Sequence, residues 1–163
     1  MSTTALMTPT TLLEHWQGHR SVTRKTIEVF PEDQLFSFQP AAPMRSFGEL
    51  IIEMIGMIEP TLKGVELGDL KGLESDDFSW AAFEHLTTKA ALLEAWDANT
   101  KHLNDAFARI PSVQWTKVVS AFGMTQPLSG FATYLLENEI HHRAQGYVYL
   151  RLLKLEPPFF YPM

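Results

Sequence analysis

The stretch Pro127-Leu-Ser-Gly-Phe-Ala-Thr-Tyr-Leu-Leu-Glu-Asn-Glu-Ile-His-His-Arg-Ala-Gln-Gly-Tyr-Val-Tyr-Leu-Arg-Leu-Leu-Lys-Leu155 decides the architecture. Leu128, Phe131, Leu135, Asn138, His142, Gln145, Tyr149 and Leu152 recur at 3-4-3-4-3-4-3 spacing, which puts them on one face of a helix. The pattern predicts a helix from about 127 to 155, stopped before Pro157-Pro158. Its middle is unusual: Asn138, His142 and Gln145 stand where a packed seam takes Leu, Phe or Trp. At 100° per residue His142 lies near the centre of the apolar arc and His141 about 90° away. A polar group in a core needs a partner, since leaving it unsatisfied costs about 1–3 kcal/mol. Three in succession predict a polar pocket or a local water-filled cleft between helices, and bundle cores are common places for ligand and metal sites.

Three further helical patterns precede this one. Thr8-Pro9 followed by Leu12, Leu13, Trp16, Thr23, Ile27 and Phe30 predicts a helix over about 9–30, with proline in the first turn and Pro31 as the stop. Ser46 with Glu49 three residues on is a capping-box spacing, and Phe47, Leu50, Ile51, Met54, Ile55, Ile58 and Leu62 then form a helical stripe. Thr87 or Thr88 opens a third helix whose seam is Leu93, Trp96, Thr100, Leu103, Phe107 and Ile110, ended by Pro111. The segments 31–45 and 64–82 read as long loops from their prolines, glycines and acidic residues. Val113, Trp115, Val118, Val119 and Gly123 suggest a short extended segment or hairpin within 112–126. The expected fold class is all-α: one domain over residues 1–163, an antiparallel four-helix bundle whose long connections permit crossovers.

Composition narrows the function classes. The chain has 163 residues, 45% hydrophobic and 20% charged, with no cysteine and a net charge of −6. Without cysteine there is no disulfide framework, thiolate zinc site, iron–sulfur cluster or cysteine nucleophile. Thirteen basic residues, scattered singly, offer no stripe for a nucleic-acid backbone. No run approaches the length of a membrane helix, and the first ten residues lack a basic region followed by an apolar one. The expectations are therefore a cytoplasmic protein with no nucleic-acid and no membrane partner.

Arg45-Ser46-Phe47-Gly48-Glu49-Leu50-Ile51-Ile52-Glu53 and Glu137-Asn138-Glu139-Ile140-His141-His142-Arg143-Ala144-Gln145 together resemble the second-helix and last-helix signatures of the DinB-like (DUF664) superfamily. Phe30-Pro31-Glu32-Asp33-Gln34-Leu35 and the Leu155-Glu156-Pro157-Pro158 stretch extend the resemblance over nearly the whole chain. It implies a four-helix bundle, frequently a homodimer, often holding a divalent metal such as nickel or zinc, with thiol-dependent transferases or hydrolases among related proteins. The metal site it implies takes one histidine from the second helix and two at i, i+4 on the last. Here those positions are Glu53, Asn138 and His142, so one histidine of three is present.

One carboxylate, one amide and one imidazole hold nickel or zinc less well than three imidazoles. The added negative charge favours a harder ion, with manganese the less favoured choice overall. Two arrangements stay open. Glu53, Asn138 and His142 hold a divalent metal with Gln145 supporting them, for work on a small-molecule substrate or a low-molecular-weight thiol. Alternatively no cofactor binds, Glu53 accepts a hydrogen bond from His142, and Asn138 or Gln145 completes a buried network in a non-catalytic dimerisation or ligand-binding module. The helical wheel sets Glu53 on the flank of its helix, some 140° from the apolar centre, where a plain surface glutamate would also sit.

Other candidates carry less. His15 and His19 share the i, i+4 spacing of a ligand pair but lack a third ligand, and a solvated or lightly buried pair is expected. His85 and His102 stand without a visible partner. Ser129-Gly130 lacks the strand-turn-helix setting of a nucleophile, and Gly64, Gly68 and Gly72 match no phosphate loop. Glu74, Asp76 and Asp77 lack the order of a calcium loop. The aromatic tail Phe159-Phe160-Tyr161 either folds back on the bundle or joins a dimer interface.

Overall fold

Four helices, α1 (Pro9–Val29), α2 (Phe47–Leu67), α3 (Lys89–Arg109) and α4 (Leu128–Leu152), make up the bundle in the computed structural model, which describes residues 7–70 and 80–162. Each start follows from local chemistry. Thr8 is extended and accepts from the Thr11 backbone N–H at 3.2 Å, while the Thr11 hydroxyl oxygen accepts from the Thr8 N–H at 2.8 Å, and Pro9 opens the first turn. Ser46 and Glu49 form the reciprocal box at α2, with the Glu49 carboxylate accepting from the Ser46 backbone at 2.8 Å. Thr88, rather than Thr87, caps α3 by accepting from the Ala91 N–H at 3.2 Å.

The helices form a square in which α2 packs on α3 and α4, and α1 packs on α3 and α4. Consecutive helices α1 and α2 therefore lie on a diagonal, as do α3 and α4, so the 31–45 connection crosses over as expected, whereas the connection from α2 to α3 joins neighbouring helices and does not. Between α3 and α4 a 3-10 turn over Ser112–Thr116 buries Trp115. Of the extended segment or hairpin expected here, the hairpin forms: β1 (Val118–Ala121) pairs antiparallel with β2 (Met124–Pro127). Its two-residue turn has positive φ at Phe122 (53°) and Gly123 (72°), the primed geometry that matches strand twist.

The structure corrects three boundaries. The loop expected over 64–82 begins later, because α2 continues through buried Gly64 and Val65 and ends on Gly68, whose φ of 73° gives the left-handed cap. Gly64 is a buried residue of the helix, not a breaker. The α3 seam is rotated: Leu92, Trp96, Asn99, Leu103, Ala106 and Phe107 are buried, while Leu93 and Thr100 are half-buried. Helix α4 ends at Leu152, which is 56% exposed, and Lys154 takes a φ of 62° just beyond it. The readings at Gly72, Glu74, Asp76 and Asp77 lie outside the described residues. Among the described residues no helix is long and apolar enough to cross a membrane.

Candidate functional site: two polar layers on helix α4

Helix α4 lies between two neighbours and presents a polar layer to each. Toward α2, the helices run antiparallel with Glu53 opposite His142 and Met57 opposite Asn138. The His142 Nε2–H donates to Glu53 Oε1 at 3.1 Å, and His142 Nδ1 lies 3.4 Å from Gln145 Oε1. Gln145 Nε2 in turn donates to His141 Nε2 at 3.0 Å. Arg45, at the mouth of this layer, forms an ion pair with the second Glu53 oxygen. The hydrogen bond from His142 is the largest cause holding the Glu53 carboxyl below its ordinary range, and Arg45 adds to it. Three of the four residues expected at the site thus come together: Glu53, His142 and Gln145. The flank position of Glu53 on α2 turns out to be the edge that meets α4.

Asn138 is placed differently. Its amide nitrogen makes a long 3.8 Å contact to Met57 Sδ, and its Oδ1 is buried without a hydrogen-bond partner. The set that would hold nickel or zinc is therefore one imidazole, one orphaned amide oxygen and one carboxylate already shared between an imidazole N–H and a guanidinium. That donor set fits those ions poorly, because the Arg45 cation would have to leave Glu53 before a second cation could use it. Among the described residues, no three His, Cys, Asp or Glu side chains gather in one place.

Toward α1 lies a layer that the single-seam reading of α4 missed. Glu139 is 1% exposed and accepts from Trp16 Nε1 at 2.9 Å and from Thr23 Oγ1 at 2.7 Å. Arg20 and Arg143, 1% and 3% exposed, stand 3.7 and 3.9 Å from its oxygens. Arg20 also donates to Thr100 Oγ1, the Trp96 carbonyl and Asn99 Oδ1, and its guanidinium lies 3.3 Å from the Trp96 ring centroid. Burial pulls Arg20 down to about 10 and lowers Arg143 as well, with Glu139 opposing both shifts. The sequence signal was present as a second 3-4 row on α4: Leu128, Ala132, Leu135, Glu139, Arg143, Gly146 and Leu150.

The His15–His19 pair, expected to be solvated or lightly buried, is half-buried at His15 and buried at His19. His19 is 5% exposed, its ring meets His15 edge-on at 4.6 Å, and its Nδ1 accepts from Arg143 Nη2 at 2.8 Å. An acceptor Nδ1 leaves the proton on Nε2, so the ring has no free lone pair for an ion. Burial, then the Arg143 charge, then His15, lower its pKa to about 4. Between about 4 and the unfolded value of 6.5, the unfolded chain holds a proton that the folded chain lacks. This contribution to stability is complete above pH 6.5 and is lost as pH falls. Urea unfolding at pH 7 and 4.5 should show His19→Gln losing about 2 kcal/mol less than wild type on acidification. An equal loss in both would contradict this role of His19.

The aromatic tail folds back over the same end. Tyr161 lies 6.4 and 6.1 Å from the His15 and His19 rings, and Arg143 donates to the Phe160 carbonyl at 3.4 Å. Pro162 sits on Gly18, where an added Cβ would come within 2.7 Å of it. The side chains of Phe159, Phe160 and Tyr161 nonetheless remain half-exposed.

Two solved structures share this architecture. One is a DinB-like protein (YjoA) from Bacillus subtilis, 20% identical, with a TM-score of 0.72, covering 92% of this chain and 96% of that one. The other is a DinB-like protein from Bacillus cereus ATCC 10987, 21% identical, with a TM-score of 0.70, covering 92% and 95%. No curated protein matches. The family model described as the DinB family matches residues 1–163. An all-α bundle with the fold of DinB-like proteins, matched by that model from end to end, this chain belongs to the DinB family.

Proposed function

We propose that this DinB-family chain works without a tightly held transition metal, as a non-catalytic bundle that binds a small carboxylate-bearing molecule, low-molecular-weight thiols among them, at the mouth of the α2–α4 layer. The observation that carries this reading is the double engagement of Glu53, by His142 on one oxygen and by Arg45 on the other. That closed pair supplies no open carboxylate for an ion. What it offers instead is the half-exposed Arg45 guanidinium, fixed by Glu53, with Gln145 and the exposed His141 joined to the same layer through His142. Arg45 suits a carboxylate because its planar fork matches carboxylate geometry.

The test is a thermal-shift titration with glutathione and S-methylglutathione in the presence of EDTA. Both should raise the melting temperature, because recognition rests on the carboxylates rather than the sulfur. Arg45→Ala should abolish the shift. His142→Leu should fold with a stability change within about 1 kcal/mol, since Glu53 keeps Arg45 as its partner. No shift with either compound, or a shift that Arg45→Ala leaves intact, would overturn the reading.

A second reading is favoured by the orphaned Asn138 Oδ1. In it Glu53, Asn138 and His142 hold a divalent ion, with nickel or zinc ahead of manganese, and the chain is a hydrolase or thiol transferase. It requires Arg45 to release Glu53.

A further inference from the structure

A concavity lies between α2 and α3, and none of the residues of the Glu53–His142 layer lines it. It measures about 730 Å³, in the range of small-molecule sites. Its floor is apolar, with Ile55, Ile58, Leu62 and Phe83 beside the small residues Ala95 and Ala98. Its rim charges are already matched within the protein. Lys63 and Arg109 each stand 3.6 Å from Glu66, Asp105 pairs with Lys101 at 2.7 Å, and Glu59 faces His102 at 3.9 Å. The rim therefore carries no net charge excess that would select an ion.

One carbonyl of the wall lacks its ordinary helical donor because of the covalent structure itself. Pro60 lies inside α2 and has no N–H, so the carbonyl of Gly56, four residues earlier, loses its helical donor. Both residues line the groove. The neighbouring Ile55 carbonyl is served from across the groove, accepting from Asn99 Nδ2 at 3.1 Å, and Asn99 Oδ1 is taken by Arg20. An acceptor without its ordinary donor, beside apolar walls, defines a ligand chemistry.

We propose that the α2–α3 groove binds an uncharged, largely apolar small molecule carrying one hydrogen-bond donor, with the Gly56 carbonyl as the acceptor. The proposal is independent of the α2–α4 site. N-Phenyl-1-naphthylamine, an uncharged apolar fluorophore with a single N–H, is a suitable probe. It should bind the full chain saturably, at one site. Its N-methyl derivative, lacking the donor, should bind about fivefold more weakly. Ala98→Trp, at an exposed α3 position that lines the groove, should weaken the probe at least about tenfold by filling the space. Pro60→Ala, which returns a donor to Gly56, should bring both fluorophores to the same affinity. Absence of saturable binding, no effect of Ala98→Trp, or an N–H preference that survives Pro60→Ala would each overturn the proposal.

Discussion

Glu139→Leu should destabilise the protein by about 3–5 kcal/mol, the largest effect expected of any single side chain here. The reason is the charge ledger of the α1–α4 layer. Two guanidiniums, Arg20 and Arg143, are buried within 4 Å of one carboxylate, and Arg20 Nη1 makes no hydrogen bond of its own. Removing Glu139 leaves both cations in the interior without a counter-charge. It also strips Trp16 Nε1 and Thr23 Oγ1 of their acceptor. Glu139→Gln keeps an oxygen for Trp16 or Thr23 but not the charge, and should cost less, about 1–3 kcal/mol. Urea unfolding measures both, and Glu139→Gln keeps the comparison open if the leucine variant does not fold. Wild-type stability for either variant would show that the cluster does not hold α1 to α4.

Gly146→Ala should destabilise by about 1–3 kcal/mol, although alanine is the better helix former by about 1 kcal/mol. A Cβ at Gly146 would lie 2.3 Å from Phe47 Cε2. Phe47 has no room to withdraw: it is fully buried and stacked on Phe30 with ring centroids 4.5 Å apart. Gly146 is thus what lets α4 approach the start of α2 closely enough for His142 to reach Glu53. Thermal unfolding should show the penalty largely relieved in Phe47→Leu/Gly146→Ala, a non-additivity that reports direct contact. A stabilised Gly146→Ala would contradict this packing.

The four helices were legible because their ends are written in local chemistry, in Thr8-Pro9, Ser46 with Glu49, Thr87 or Thr88, and Pro111, and Val118, Val119 and Gly123 left an extended segment or a hairpin as the choice between α3 and α4. The family was legible from the order of two short motifs. The ends of α2 and α4 were not. Gly64 is a buried residue within α2 rather than a break, and Leu152 continues the apolar period although it is 56% exposed. Glu139 and Arg143 were missed for a geometric reason. A helix packed against two diagonal partners has two buried rows, and fitting one row through Asn138 and His142 leaves the other looking like a surface i, i+4 ion pair. The Glu53–His142 contact could be named from sequence as one of two arrangements. The choice proposed between them rests on Arg45, which lies outside the helical pattern and reaches Glu53 only in three dimensions.

The most direct measurement is the metal content of untagged protein, taken as purified and again after equilibrium dialysis against nickel, zinc and manganese. The closed Arg45–Glu53–His142 arrangement predicts less than about 0.1 ion per chain in every case, because one shared carboxylate, one amide and one imidazole hold these ions weakly. Arg45→Ala, which frees Glu53, should raise that occupancy. Close to one ion per wild-type chain, lost in His142→Ala, would contradict the metal-free reading and establish Glu53, Asn138 and His142 as a ligand set.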